Sequence, residues 1–103
     1  MASVHQAGTD GLWSYQSLAR IYTRKQYPRD WAQTQYDIAA CEHKIAMHAP
    51  NADTRTVLIN AIEKVERARD VENAIDPYNI SLKMNGLIRN MKRDLEALEQ
   101  HQH

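Results

Sequence analysis

The stretch that decides the fold is DTRTVLINAIEKVERARDVENAI, residues 53–75, followed across the single residue Asp76 by PYNISLKMNGLIRNMKRDLEALEQ, residues 77–100. In the first segment Leu58, Ala61, Ile62, Val65 and Ala68 recur at the spacing of one helical face, with Val57 and Ile75 on its flank. In the second, Ile80, Met84, Leu87, Ile88, Met91, Leu95 and Leu98 fall within about a 100° arc. Asp76 and Pro77 read as an N-cap followed by a proline at the first helical position, where its missing N–H costs nothing. Asn79 and Ser81 are later candidates for the same cap. Two amphipathic helices joined so tightly predict a long antiparallel hairpin, each arm about 33 Å at about 1.5 Å per residue. The alternative is a nearly collinear pair, kinked at Pro77, that buries its stripes against a second subunit.

Working outward, Asp94 occupies a position that a strict heptad would give to an apolar residue, which favours a bundle over an extended coiled coil. Gly86 lies off the apolar stripe and costs about 1 kcal/mol against alanine, so it is expected to mark a close helix crossing. On the preceding helix Glu63 pairs in sequence with Arg67, and Glu66 with Arg69. Glu72 falls within the stripe itself.

The N-terminal half carries two further helices. Leu12, Tyr15, Ala19 and Tyr22 recur helically, and Tyr27-Pro28-Arg29 interrupts them, because proline displaces its predecessor from the α region and donates no backbone bond. Asp30 is then expected to cap the second helix, with Gln33 closing a capping box. That helix is apolar on two faces. Trp31, Ile38 and Ile45 form one, with Thr34 and Cys41 beside them, and Tyr36, Ala40 and Met47 form the other. Such a helix is either central to a bundle or part of a dimer interface, and Gln35 and Glu42 within its main stripe need partners if buried. Asp53 or Thr54 caps the third helix. The reading is all-α: a single domain over 1–103, a three- or four-helix bundle with helices at about 11–26, 30–48, 54–75 and 77–100, and residues 1–10 disordered.

A chain of 103 residues with 43% apolar and 25% charged residues supports one core. Thirteen basic and thirteen acidic side chains cancel, so no overall field draws the protein to nucleic acid or an anionic membrane. A lone cysteine, Cys41, excludes an intramolecular disulfide, and residues 1–11 lack a basic-then-apolar leader, so a cytoplasmic protein is expected. No window approaches the ~18 apolar residues of a membrane span.

No glycine-rich phosphate loop, nucleophile elbow or paired-cysteine motif is present, and no enzyme is predicted. Glu42 and Glu72 are the carboxylates most exposed to desolvation, which raises a carboxyl pKa, but structural networks do the same. Cys41, His43 and His48 do not converge on a helix, so neither metal nor cofactor is expected. A helix-turn-helix is disfavoured because the junction at 23–29 is charged, lacks glycine and contains Pro28.

Two surfaces remain as candidates. The exposed-looking Trp13 and the second face of helix two, Tyr36, Ala40 and Met47, predict a protein-interaction module of adaptor, chaperone or inhibitor type, with homodimerisation expected. Alternatively Trp13, Arg20, Arg24, Lys25 and Arg29 form an aromatic and basic strip suited to phosphates and stacked bases. Lys83, Arg89, Lys92 and Arg93 add cations on helix four, and the acid-rich helix three is their complement.

Overall fold

A computed structural model describes residues 15–78 and 81–101. The fold is all-α, with no strand among the described residues. Residues 15–21 form α1, Pro28–His48 form α2, Thr54–Ile75 form α3 and Leu82–His101 form α4. Helix α3 is the common neighbour: its backbone approaches α2 most extensively and α4 less so, while α2 and α4 scarcely meet.

Alanine explains that asymmetry. Ala32 and Ala39 on α2, and Ala61 and Ala68 on α3, are all completely buried. Each pair is spaced by seven residues, two turns along one face, and the absence of side chain beyond Cβ brings the two backbones close. Larger side chains, Met84, Leu87, Ile88 and Met91, fill the wider space on the α4 side and join Leu58, Ile62, Val65 and Val71 in one core. The alanine row runs between the two apolar faces expected of α2. Ile38 is buried on one of those faces, and Tyr36, Ala40 and Met47 pack part-buried against the core on the other. Both faces of α2 are therefore partly covered within the chain.

The α3–α4 contacts run in opposite order along the two helices. Ser81 meets Asn73, Asn85 meets Arg69, Lys92 meets Glu66 and Glu99 meets Arg55. Gly86 marks no close crossing, since a Cβ built there has nothing within 4 Å.

Helix ends depart most from expectation. Helix α1 stops at residue 21 rather than 26, because the Thr23 carbonyl and hydroxyl accept the Tyr27 and Gln26 N–H groups at 2.8 and 3.2 Å and close a turn. Helix α2 starts at Pro28, not at Asp30. Proline's fixed φ suits the first helical position, so the residue expected to interrupt a helix instead begins one. The expected capping box is replaced: Gln33 donates to Asp37 at 3.1 Å, and the Thr34 hydroxyl donates to the Asp30 carbonyl at 2.8 Å. Asp53 occupies the N-cap position of α3 without a side-chain cap bond. Asn51 organises that end instead, its side chain accepting the Asp53 N–H at 2.7 Å and its own N–H donating to the Thr54 hydroxyl at 2.7 Å.

Helix α4 begins at Leu82, five residues after the expected start at Pro77. The Asp76 carboxylate accepts the Tyr78 N–H at 3.1 Å, a local turn that competes with helix initiation. Ser81, buried and at φ 48°, holds the left-handed conformation that redirects the chain, and its hydroxyl donates to Asn73 Oδ1 at 3.1 Å. The Ser81 carbonyl accepts the Asn85 N–H at 2.9 Å, which makes it the residue that opens α4. Ile80, expected in the α4 stripe, lies outside the described residues.

Two substitutions test this packing by urea denaturation. Ala39→Leu places a larger side chain in the α2–α3 seam and is expected to lower the unfolding free energy by about 1–3 kcal/mol. An unchanged midpoint would show that the seam has slack. Gly86→Ala meets no obstacle and is expected to raise stability by about 0.5–1 kcal/mol.

Candidate functional site

Polar groups flank the core and tie the helices together. Glu42, which the stripe of α2 would bury, accepts from Lys64 Nζ on α3 at 2.9 Å, both side chains being about four-fifths buried. Asp94, the odd residue in the α4 stripe, sits 2.7 Å from His43 Nε2 on α2. Lys83 of α4 reaches across to α2, donating to Gln33 Oε1 at 2.9 Å and lying 4.7 Å from the Tyr36 ring centroid. Among the described residues no buried side-chain polar atom lacks a partner. The carboxylate singled out on α2 is thus a structural ion pair. Glu72, the other, lies part-buried in α3, and its backbone carbonyl accepts the Asp76 N–H at 2.9 Å.

Burial raises the Asp37 carboxyl above its ordinary value, with the Gln33 hydrogen bond and the Lys83 charge opposing the shift. Tyr36 is also raised, by burial and then by the Asp37 charge. The Cys41 thiol is pushed up, first by burial, with Asp37 and Glu42 adding to the shift and Lys44 opposing it. A thiol so shifted remains protonated near neutrality, opposite to an activated nucleophile. Among the described residues no three of His, Cys, Asp and Glu converge to hold a metal ion.

The basic strip falls partly within the described chain. Trp13 lies outside it, while Arg20, Arg24, Lys25 and Arg29 are all exposed. None of the four forms an ion pair among the described residues. Arg24 instead lies 5.4 Å from the Trp31 ring centroid, and Tyr22 and Tyr27 meet edge to face at 5.6 Å, so aromatics shape the α1–α2 junction.

Several large apolar side chains stand exposed, Leu18 among them at 36%. Tyr78 is 93% exposed, Leu82 73%, Ile21 61%, Tyr27 47% and Ile75 40%. The Glu42–Lys64 register runs the start of α2 alongside the end of α3, and Lys83, next to Leu82, touches the first turns of α2. The start of α4 therefore lies beside the first turns of α2. Sequence reasoning placed Ile75 on a stripe flank and did not single out Tyr78 or Leu82. The available signal was negative: Leu82 stands two residues before Met84, on the opposite side of α4 from the core stripe.

At the other end an open cavity of about 470 Å³ lies between α2 and α3, lined by Ile45, Ala46, Ala49 and Val57 with Glu42, Asn51, Asp53 and Thr54. Its polar groups are largely spoken for: Glu42 holds Lys64, while Asn51 and Thr54 bond one another. Among the described residues no helix is long and apolar enough to cross a membrane. Comparison with protein-family models, with curated proteins and with solved structures finds no match to this chain.

The Asp37 shift predicts a pH signature. A carboxyl raised by folding destabilises the native state once ionised, so the penalty is absent below the usual carboxylate range and complete above the raised folded value. Asp37→Asn keeps an acceptor for Gln33 and removes the charge. Its melting temperature is expected to exceed that of the wild type at pH 7 and to match it near pH 3. A variant less stable at pH 7 would contradict the assignment.

Proposed function

We propose that this chain is a small, non-catalytic helical module that binds a protein partner, works in the cytoplasm and forms a homodimer. The observation that carries this reading is the exposure of large apolar side chains near where Lys83 brings the start of α4 to the first turns of α2: Tyr78 and Leu82 flank that start, Tyr27 precedes α2, and Ile21 ends α1. Large aromatic and aliphatic groups held open at one place are typical of binding surfaces. In this reading α3 and α4 form the long antiparallel hairpin, and their stripes serve as scaffold. Tyr36, Ala40 and Met47, with Trp13, were expected to contact a partner directly. Their part-buried packing favours a supporting role for the three α2 residues, with Lys83 linking Tyr36 to the open end.

Nucleic-acid binding through Trp13, Arg20, Arg24, Lys25 and Arg29 is the second reading. It is favoured by one observation, that the four cations are exposed and form no ion pair among the described residues. Phosphate contacts would make such binding fall steeply with salt, whereas an apolar contact responds weakly.

Affinity recovery from lysate, with and without nuclease, compares the wild type with a Tyr78→Ser/Leu82→Ser variant. The expected result is a set of retained proteins that survives nuclease and is lost with the variant, whose helical circular dichroism is unchanged. Retention that ignores both substitutions, or that disappears with nuclease, sinks the first reading. Sedimentation equilibrium tests the dimer, and a mass of 11.9 kDa at every concentration would exclude it.

A further inference from the structure

We propose that two copies of this chain join by exchanging α4, with Ser81 as the hinge. This rests on the homodimer reading and adds the way in which the dimer is built. Asp76 closes α3 in an extended conformation, φ −137° and ψ 94°, as a residue before proline prefers. Ser81 then turns the chain into α4 at φ 48°, in the left-handed region that a residue with a Cβ enters at a steric cost. Its burial and its hydroxyl bond to Asn73 hold it there. Strain of this kind persists only while the surrounding packing enforces it, and a short connection under strain invites the exchange of an element between copies.

What α4 contributes to its own chain, the α4 of a second copy contributes equally. Met84, Leu87, Ile88 and Met91 fill a core whose other members lie on α2 and α3, before the hinge. The flanking contacts, Ser81 with Asn73, Asn85 with Arg69, Lys92 with Glu66 and Glu99 with Arg55, likewise join a residue before the hinge to one at or after it. So do the two that reach α2, Lys83 with Gln33 and Asp94 with His43. Exchange therefore remakes these contacts between copies, and the two species differ chiefly in the connection. The single chain keeps Ser81 left-handed, whereas the opened chain releases it. Each copy sheds its own strain, so the two hinges together offset part of the freedom lost on association. A side-by-side dimer would leave Ser81 as it is, and the hinge separates the two modes.

Two measurements on the full chain test this. The first is sedimentation equilibrium of Ser81→Gly and Ser81→Ala, with circular dichroism to check folding. Both substitutions remove the hydroxyl, but only glycine accepts a positive φ freely, so their difference isolates the backbone. The alanine variant is expected to dimerise at least about tenfold more tightly than the glycine variant. The second keeps Ser81 intact and reads the exchange even where Ser81→Ala does not fold. In a Cys41→Ser background, a Glu66→Cys chain and a Lys92→Cys chain are unfolded together, refolded and treated with a short bismaleimide. A covalent dimer holding one chain of each kind is expected, because residues 66 and 92 face each other across the α3–α4 contact. Dimers that yield no such cross-link, or glycine and alanine variants that dimerise alike, would overturn the exchange and leave the homodimer standing. Monomers at every concentration in all variants would overturn both.

Discussion

The close contact of α2 with α3 through Ala32, Ala39, Ala61 and Ala68 is the constraint on which the rest of the structure depends. Because these side chains end at Cβ, the two backbones can approach closely, and the pair becomes a platform. Once α2 is locked in this way its second apolar face, Tyr36, Ala40 and Met47, is carried toward α4. Helix α4 then packs chiefly on α3 and is joined to α2 by polar contacts, Lys83 with Gln33 at one end and Asp94 with His43 farther along. The odd charges inside the apolar stripes acquire a purpose in this arrangement. Glu42 and Asp94 are partnered by Lys64 and His43, and each pair joins α2 to a different neighbour. Leaving either carboxylate part-buried without a partner would cost more than the pair contributes.

The open end follows from where α4 begins. Had the helix started at Pro77, Tyr78 would stand in its first turn. The Asx turn at Asp76 and the left-handed Ser81 delay it to Leu82, so the connection projects Tyr78 outward and leaves Leu82 in the first turn, on the outer side. At the α1–α2 junction the first helix ends at residue 21, Thr23 closes the intervening turn and Pro28 starts α2. Cations that would otherwise pair along a helix with acids one turn away are gathered in a short segment with none.

Much of this architecture was legible in the residues. The α3 stripe of Leu58, Ala61, Ile62, Val65 and Ala68 is buried as its periodicity implied, and Met84, Leu87, Ile88 and Met91 of α4 are buried with it. The ends were less legible, because capping is a contest among several local bonds of similar strength. Asp30 and Gln33 have the right spacing for a capping box, yet Pro28 two residues earlier opened the helix and drew both into other bonds. Gly86 shows the opposite failure: its small size implied a close neighbour, and the neighbour is absent. The open end was least legible of all, since Tyr78 and Leu82 belong to no stripe, and periodicity reports what is buried rather than what is left out.

The sequence by itself determined the helical class, the buried faces of α3 and α4, the balance of charge and the absence of any recognisable catalytic motif, because these depend on spacing and composition along one chain. Only the tertiary structure decided that the alanines of α2 are its most deeply buried residues, that Glu42 and Asp94 find Lys64 and His43, and that Ile21, Tyr27, Tyr78 and Leu82 are left exposed. Each of those outcomes depends on the distance between helices and on where the turns release the chain, quantities that no single segment carries.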